Sequence, residues 1–450
     1  MIYGAGSLIA VIPRRPLVAL VALILGACTS SASTTTAAST TGSTTTSSTV
    51  ESTTSSETTL TTLPAGTEEL PESLRAEIAR LIPIAEEIRG LEFLSAPQVT
   101  VLTPDELETR VIDQLLEDYV DHEVDEALYR LLGLVPADFE LLETILSLYG
   151  EAVAGYYDGD TSELVVTASQ DEFSPLEEAT IVHELTHALT DQVLEFNDRY
   201  NQLFDDQRYD EAAAFQGLIE GDASLAELLY VQQLGAEAQQ EFLEEAFDVD
   251  MTVFDQVPPF MQDGLTFPYD TGFTFVQHLF SEGGFAAVDD AYANPPLSSE
   301  QVIWPDDYPG DVPLAVDLPT NELTGYEINE DSTWGELGFR LMFDQVLGGN
   351  DVATEGWGGD SYRIYWDGTN VVLVMVFQGD TAGDAAELGQ AFNDYVGIGM
   401  DLADAVAEEN SQTYTGDRYA FVSTAGDEML FIAASDPAAG PTVRGWFPGF

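Results

Sequence analysis

From residue 69 onward the apolar positions recur with two periods, and each period predicts elements. ELPESLRAEIARLIPIAEEIRG (69–90) spaces its apolar side chains three and four apart, as a helix with one buried face does. PQVTVLT then alternates like a strand. TPDELETRVIDQLLEDYV opens with a helix start: Thr103 as N-cap, Pro104 behind it and Glu106 at the capping-box position. A helix is expected at about 137–149. AGYYDGDTSELVVTAS holds two short β-prone runs around the turn-rich DGDTSE, a hairpin over 155–167. Long helices follow at about 176–196, containing IVHELTHALTDQ, and at about 210–235, containing GLIEGDASLAELLYVQQ. Residues 252–300 read as helical and Pro-punctuated. From about 358 the texture becomes SYRIYWDGTNVVLVMVF, helical AAELGQAFNDYV, then YAFVSTAGDEMLFIAAS, a ββαββ pattern with no internal repeat. The predicted fold class is α+β: a mostly helical body with a small sheet and an edge hairpin (67–325), and a C-terminal α+β portion (326–450).

Composition changes the picture at the N-terminus and at the surface. RRPLVALVALILGAC is a signal-peptide layout, too short for an ordinary spanning helix, so 1–27 is expected to be a leader. Its LGAC ending resembles the bacterial lipobox, in which the chain is cut before a Cys that is then lipidated. Cys28 is the single cysteine and has no partner for an intramolecular disulfide. Residues 28–66 are nearly pure Ser, Thr and Ala, a flexible stalk open to O-glycosylation. Such a tether reaches roughly 30–37 Å. The expected location is the extracytoplasmic face of a bacterial membrane, held by lipid at Cys28.

The 450 residues carry 80 acidic against 13 basic side chains, and every basic one is Arg. Without residues 1–27 the balance moves from -67 to -69, since Arg14 and Arg15 leave and no acid does. A surface of this sign repels DNA, RNA and anionic lipid, which excludes nucleic acid as a partner. It suits high salt, a surface that collects divalent cations, or a bias of a whole proteome.

Within that acidic chain, HELTH places His183 and His187 one helical turn apart on one face, able to converge on one ion. Glu184 and Asp191 fall on the flank beside His187: a candidate general base and a carboxylate behind the ligands. Zinc with three protein ligands keeps a position open for water and lowers its pKa to about 7; Glu184 would take the proton. The alternative is a core helix with two satisfied histidines. Only four His exist in the chain, and chance gives this pattern an expectation on the order of a few per thousand. Ile181, Val182, Leu185, Ala188 and Leu189 mark the helix as buried, where unpartnered polar groups are costly.

Position 190 is Thr, which excludes a third ligand of the HExxHxxGxxH kind. Two carboxylates on the next helix remain, Glu211 and Glu220, pointing to opposite faces. Glu211 sits among charges, whereas Glu220 interrupts the apolar FQGLIEGDASLAELL and is the better ligand. Gly221 and Ala223 are small enough for this helix to approach the HELTH helix closely. Asp222 is open to a place behind the ligands or to solvent.

HELTHALTD closely resembles the helix of thermolysin-like peptidases, and EGDA resembles the E-G-x-A third-ligand motif of other gluzincins. AGYYDGDTSELVV, LIEGDASLAE, FPYDTGFTFVQHLF and PPLSSEQVIWPDDY resemble a family of bacterial HExxH proteins, many of them lipoproteins, over about residues 75–310. A fainter match lies at GWGGDSYRIYW. The resemblance implies a zincin-like peptidase fold, one Zn²⁺ per chain on His183, His187 and Glu220, and Glu184 as base. The gap between His187 and Glu220 is longer than in thermolysin-like proteins, so their substrate subsites do not transfer. Trp304 stands where relatives often have His.

Tyr157, Tyr269 and His278 are candidate donors to an oxyanion, each with packing as the plainer explanation. The hairpin at 155–167 could take an extended substrate by strand addition. DGD at 158–160 and PDDYPGD at 305–311 are candidate Ca²⁺ turns, neither with full EF-hand spacing. His122 reads as a surface residue. The expectation is thus a membrane-anchored zinc metallopeptidase acting on a peptide or protein. Its rivals are a non-catalytic envelope binding or scaffold module, and a hydrolase of something other than peptides, since HExxH positions water without choosing a substrate.

Overall fold

The computed structural model describes residues 72–119, 121–152, 155–167, 172–349 and 351–450. The expected leader (1–27), Cys28 and the Ser/Thr-rich segment 28–66 lie outside the described residues.

Helix α1 (Glu72–Arg89) leads to strand β1 (Gln98–Leu102), helices α2 (Pro104–Asp118), α3 (His122–Leu132) and α4 (Leu141–Ala152), and the hairpin β2 (Gly155–Asp158) and β3 (Glu163–Thr167). Then come α5 (Pro175–Leu194), α6 (Phe196–Asp205), α7 (Tyr209–Gln233), α8 (Ala236–Phe247), α9 (Pro259–Gly283), α10 (Phe285–Ala293) and α11 (Ser299–Ile303). The C-terminal part runs β4 (Glu327–Ser332), α12 (Gly335–Leu347), α13 (Asp351–Thr354), β5 (Trp357–Trp366), β6 (Val371–Gly379), α14 (Ala382–Ile398), β7 (Ala405–Ala407), β8 (Ser411–Thr415), β9 (Tyr419–Ala425), β10 (Glu428–Ala434) and α15 (Gly440–Arg444). The fold is α+β.

Local chemistry accounts for where the site helices start. The capping box read at Thr103 and Glu106 forms, and α5 has the same device: Ser174 receives the Glu177 N–H while Glu177 reaches back to the Ser174 N–H. Pro175 sits in the first turn of α5, where it costs no hydrogen bond. Three buried threonines of α5 return their hydroxyls to the helix itself, Thr180 to Leu176 O, Thr186 to Val182 O and Thr190 to Thr186 O, so none competes for the site.

The small sheet has the order β1-β3-β2, with β1 parallel and β2 antiparallel to β3, which leaves β2 at the edge beside α5. The larger sheet is antiparallel throughout, ordered β4-β5-β6-β10-β9-β8-β7. Its inner strand β6 is a continuous apolar run because both faces are covered. Leu373, Met375 and Phe377 join the core that contains α14, while Val372, Val374 and Val376 pack with Leu318, Leu323 and Val443. One buried cluster runs from Leu107 of α2 to Ala433 of β10, across residue 325. The Tyr395 hydroxyl on α14 donates to Leu132 O of α3 at 2.7 Å, stitching the two parts together.

The closest helix contact differs from the sequence expectation. Gly221 opens a path for α9 rather than for the HELTH helix: a Cβ there would stand 2.3 Å from Gly272 O, and one at Gly272 would stand 2.3 Å from Gly217 O. Gly217 and Gly221, one turn apart around Glu220, let the α9 backbone lie directly on α7.

Candidate metal centre

His183, Glu184 and His187 on α5 and Glu220 on α7 are all buried, at 0 to 1% exposure. His183 Nε2 and His187 Nε2 are 3.0 Å apart, and Glu220 Oε2 lies 3.4 Å from the first and 3.3 Å from the second. Zinc bonds of about 2.0–2.2 Å in a tetrahedron separate the donor atoms by roughly 3.3–3.5 Å. The triangle is therefore of the right size for one ion just outside its plane. Among the described residues this is the one group of three or more His, Cys, Asp or Glu whose ligand atoms converge. It could hold a metal ion.

The neighbouring groups strengthen that fit. Glu220 Oε1 is buried without a hydrogen-bond partner, and the buried Glu184 carboxyl has only a weak approach of the Tyr157 N–H, a costly arrangement for carboxyl groups unless a cation or a proton meets them. Glu227, two helical turns beyond Glu220, approaches His183 Nδ1 at 3.2 Å, where it orients the ring. Burial opposes a charge on His183, but hydrogen bonds with Glu220 and Glu227 outweigh it and raise its pKa to about 10. Burial works to raise Glu220, yet His187 and His183 pull it down to about 2. Burial drives Glu184 well above the usual carboxylate range, and Glu220 and Glu227 add to that against the opposing His183. The centre thus gathers carboxyl groups and imidazoles with buried oxygens turned toward one another.

The other sequence candidates fall in three places. Tyr269 on α9 is at the centre: its ring lies 6.4 Å from that of His183, and burial first, then Glu220 and Glu184, keep its phenol protonated. Tyr157 and Asp191 pair with each other, the hydroxyl donating to Asp191 Oδ2 at 2.7 Å, while Asp191 Oδ1 accepts the Asn197 N–H at 3.1 Å. They clamp the edge strand to the end of α5. Asp222 binds Arg89 Nε at 2.9 Å in a buried ion pair that ties α1 to α7. Glu211 pairs with Arg208 and Arg199 at the start of α7. His278 is partly exposed, with Asp306 and Glu282 at 3.9 and 4.0 Å. His122 begins α3, half-buried and beside the Tyr119 ring. Trp304 donates to Glu336 at 3.1 Å.

Neither candidate Ca²⁺ turn assembles a converging group of three among the described residues. Asp158 instead accepts the N–H groups of Asp160 and Thr161, and Asp160 accepts from Asn197 and Asn201. Sequence reasoning missed Glu227, although its spacing from Glu220 puts it on the same face. It also missed Tyr200, a fully buried phenol on α6 whose hydroxyl is unpartnered and which feels the charge of Glu220.

Residues 323–444 match the model of a domain of unknown function, DUF8575. No curated protein and no solved structure matches the chain.

Proposed function

We propose that this protein is a zinc-dependent peptidase, carried outside the cytoplasmic membrane by a lipid on Cys28. The observation that carries the reading is the convergence of two imidazoles and one carboxylate beside a second buried carboxyl group, Glu184. That donor set suits zinc, with His183, His187 and Glu220 holding it. A zinc ion would supply Lewis acidity to a substrate carbonyl and acidify water to a pKa of about 7. Glu184 follows His183 on the same buried turn, and its carboxylate would take the proton of the attacking water and pass it to the leaving amine. Tyr269, whose buried phenol stays protonated and whose ring lies 6.4 Å from that of His183, would be the donor to the negative oxygen that develops on the carbonyl. Strand β2 ends the small sheet and is clamped to α5 through Tyr157 and Asp191, so strand addition there is where an extended peptide would pair.

One observation favours a second reading, a non-catalytic envelope module: all four central groups are sealed from solvent, as the ligands of a structural metal are. The two readings separate in one experiment on purified residues 67–450. Near one zinc per chain, lost in Glu220→Ala and kept in Glu184→Gln, together with cleavage of a peptide library by the wild type alone, supports the peptidase. Zinc without cleavage leaves a non-catalytic module with a structural metal, and no zinc after reconstitution removes the peptidase and leaves a scaffold.

A further inference from the structure

Helix α1 buries an apolar face of Leu74, Ile78, Leu81, Ala85 and Ile88 and ends that face on a charge. Arg89 is 1% exposed, and Gly90 closes the helix in the left-handed region at φ +76. A guanidinium in that setting is tolerated only against acids held in place. Arg89 has two. Its Nε donates to Asp222 at 2.9 Å, with both side chains fully buried, and its Nη2 donates to Asp289 of α10. The guanidinium also lies over the Phe285 ring, 4.6 Å from the centroid. One side chain thus joins α1 and α10 to the middle of α7.

Asp222 stands two residues past Glu220, which turns it about 200° round the helix. The metal-facing carboxylate and the gripped carboxylate therefore leave α7 on nearly opposite sides, so holding one sets the rotation at which the other is presented. Nothing in the α9 contact does this, because Gly217 and Gly221 meet Gly272 as bare backbone with no side chain to key the rotation. Tyr292 of α10 reinforces the same side. Its buried hydroxyl makes no full hydrogen bond but approaches Asp222 and Thr190 of α5. Its ring lies 6.3 Å from that of Phe196, which lies 6.3 Å from that of His187.

We propose that Arg89 is a positioning residue of the metal centre: through Asp222 it sets the rotation of α7 and so aims Glu220 at His183 and His187. This role rests on the zinc reading. Cobalt(II), whose visible absorption reports its coordination geometry, tests it on the purified chain beside zinc titrations. Arg89→Met should bind both metals at least tenfold more weakly, with the cobalt absorption shifted. On charge alone, loss of a buried cation strengthens the binding of a dication, so weakening reports positioning. Arg89→Lys keeps the cation but lacks a fork to span Asp222 and Asp289, and should fall between. Leu430→Ala in the larger sheet is the control: the cavity it leaves should lower the unfolding midpoint while metal affinity and cobalt absorption stay as in the wild type. If Arg89→Met does not fold, Arg89→Met combined with Asp222→Leu removes both charges, a replacement that buried ion pairs often tolerate. The double variant should show the same weaker binding and shifted absorption. Wild-type affinity and absorption in a folded Arg89→Met chain or in the double variant, or equal losses in Leu430→Ala, would overturn the role of Arg89. A wild type that takes up neither metal removes the zinc reading and this role with it.

Discussion

Glu184 and Glu227 flank the same imidazole and have different work to do. Glu184 is buried beside the ligand group without belonging to it, so on the proposed function Glu184→Gln should retain the metal and lose about 10²- to 10⁴-fold in kcat, the usual worth of a positioned base. Metal content and turnover measured on one sample check both halves. Glu227 touches only the far nitrogen of His183. Glu227→Gln should weaken metal affinity by about 10- to 100-fold, read by competition with a chromogenic chelator. Asp191→Asn should leave that affinity unchanged, because Asp191 is committed to Tyr157 and Asn197. These roles were partly legible beforehand. The i, i+4 histidines and the adjacent Glu are a local pattern on one helix, and Glu220 betrayed itself as a lone charge in an apolar run. Glu227 sat in SLAELLYV as one more acid, and only the approach of α5 to α7 gave it a partner.

At the scale of elements, the centre depends on two helices brought together by a third. α9 lies on α7 through Gly217, Gly221 and Gly272, and α9 carries Tyr269 to His183. Gly221→Ala puts a methyl 2.3 Å from a backbone oxygen that cannot step aside. A loss of about 1–3 kcal/mol is expected from overpacking of this kind. It should appear as a lower midpoint in chemical denaturation, with metal affinity falling as Glu220 is displaced. The same substitution at Gly235, where a Cβ meets nothing within 4 Å, should have little effect and serves as the control.

The whole molecule carries its charge in an unusual way: acids are buried where its two parts meet. Asp210, Glu300 and Asp360 cluster there, and burial is the first cause lifting each, to about 7, 9 and 6. A carboxyl with a raised folded pKa is protonated in both states below about pH 4 and ionised in both above its folded pKa. Between those limits the unfolded chain has released the proton and the folded chain has not, so each unit of pH favours unfolding. The contribution of Asp210 and Asp360 therefore falls as pH rises from about 4 to 7, by on the order of a few kcal/mol. Thermal unfolding of the metal-free chain across that range should show a falling midpoint, and Asp210→Asn should flatten the slope.

What the amino-acid sequence determined by itself is what short-range physics determines. Helix starts at Thr103 and Ser174 follow from side chains three residues from the groups they bind. The hairpin over β2 and β3 follows from alternation about a polar turn, and the HELTH pair from the pitch of one helix. The tertiary structure decided what depends on partners far along the chain. Asp222 met Arg89, 133 residues away, rather than the metal ligands. Gly221 met α9 rather than α5, and β1 paired in parallel with β3 across the intervening helices. His183 and His187 were together from the start, but Glu220 stands 33 residues beyond His187, and no periodicity spans that gap. Burial brought the three together, because a charge inside an apolar helix face has to find its counterpart where the helices cross.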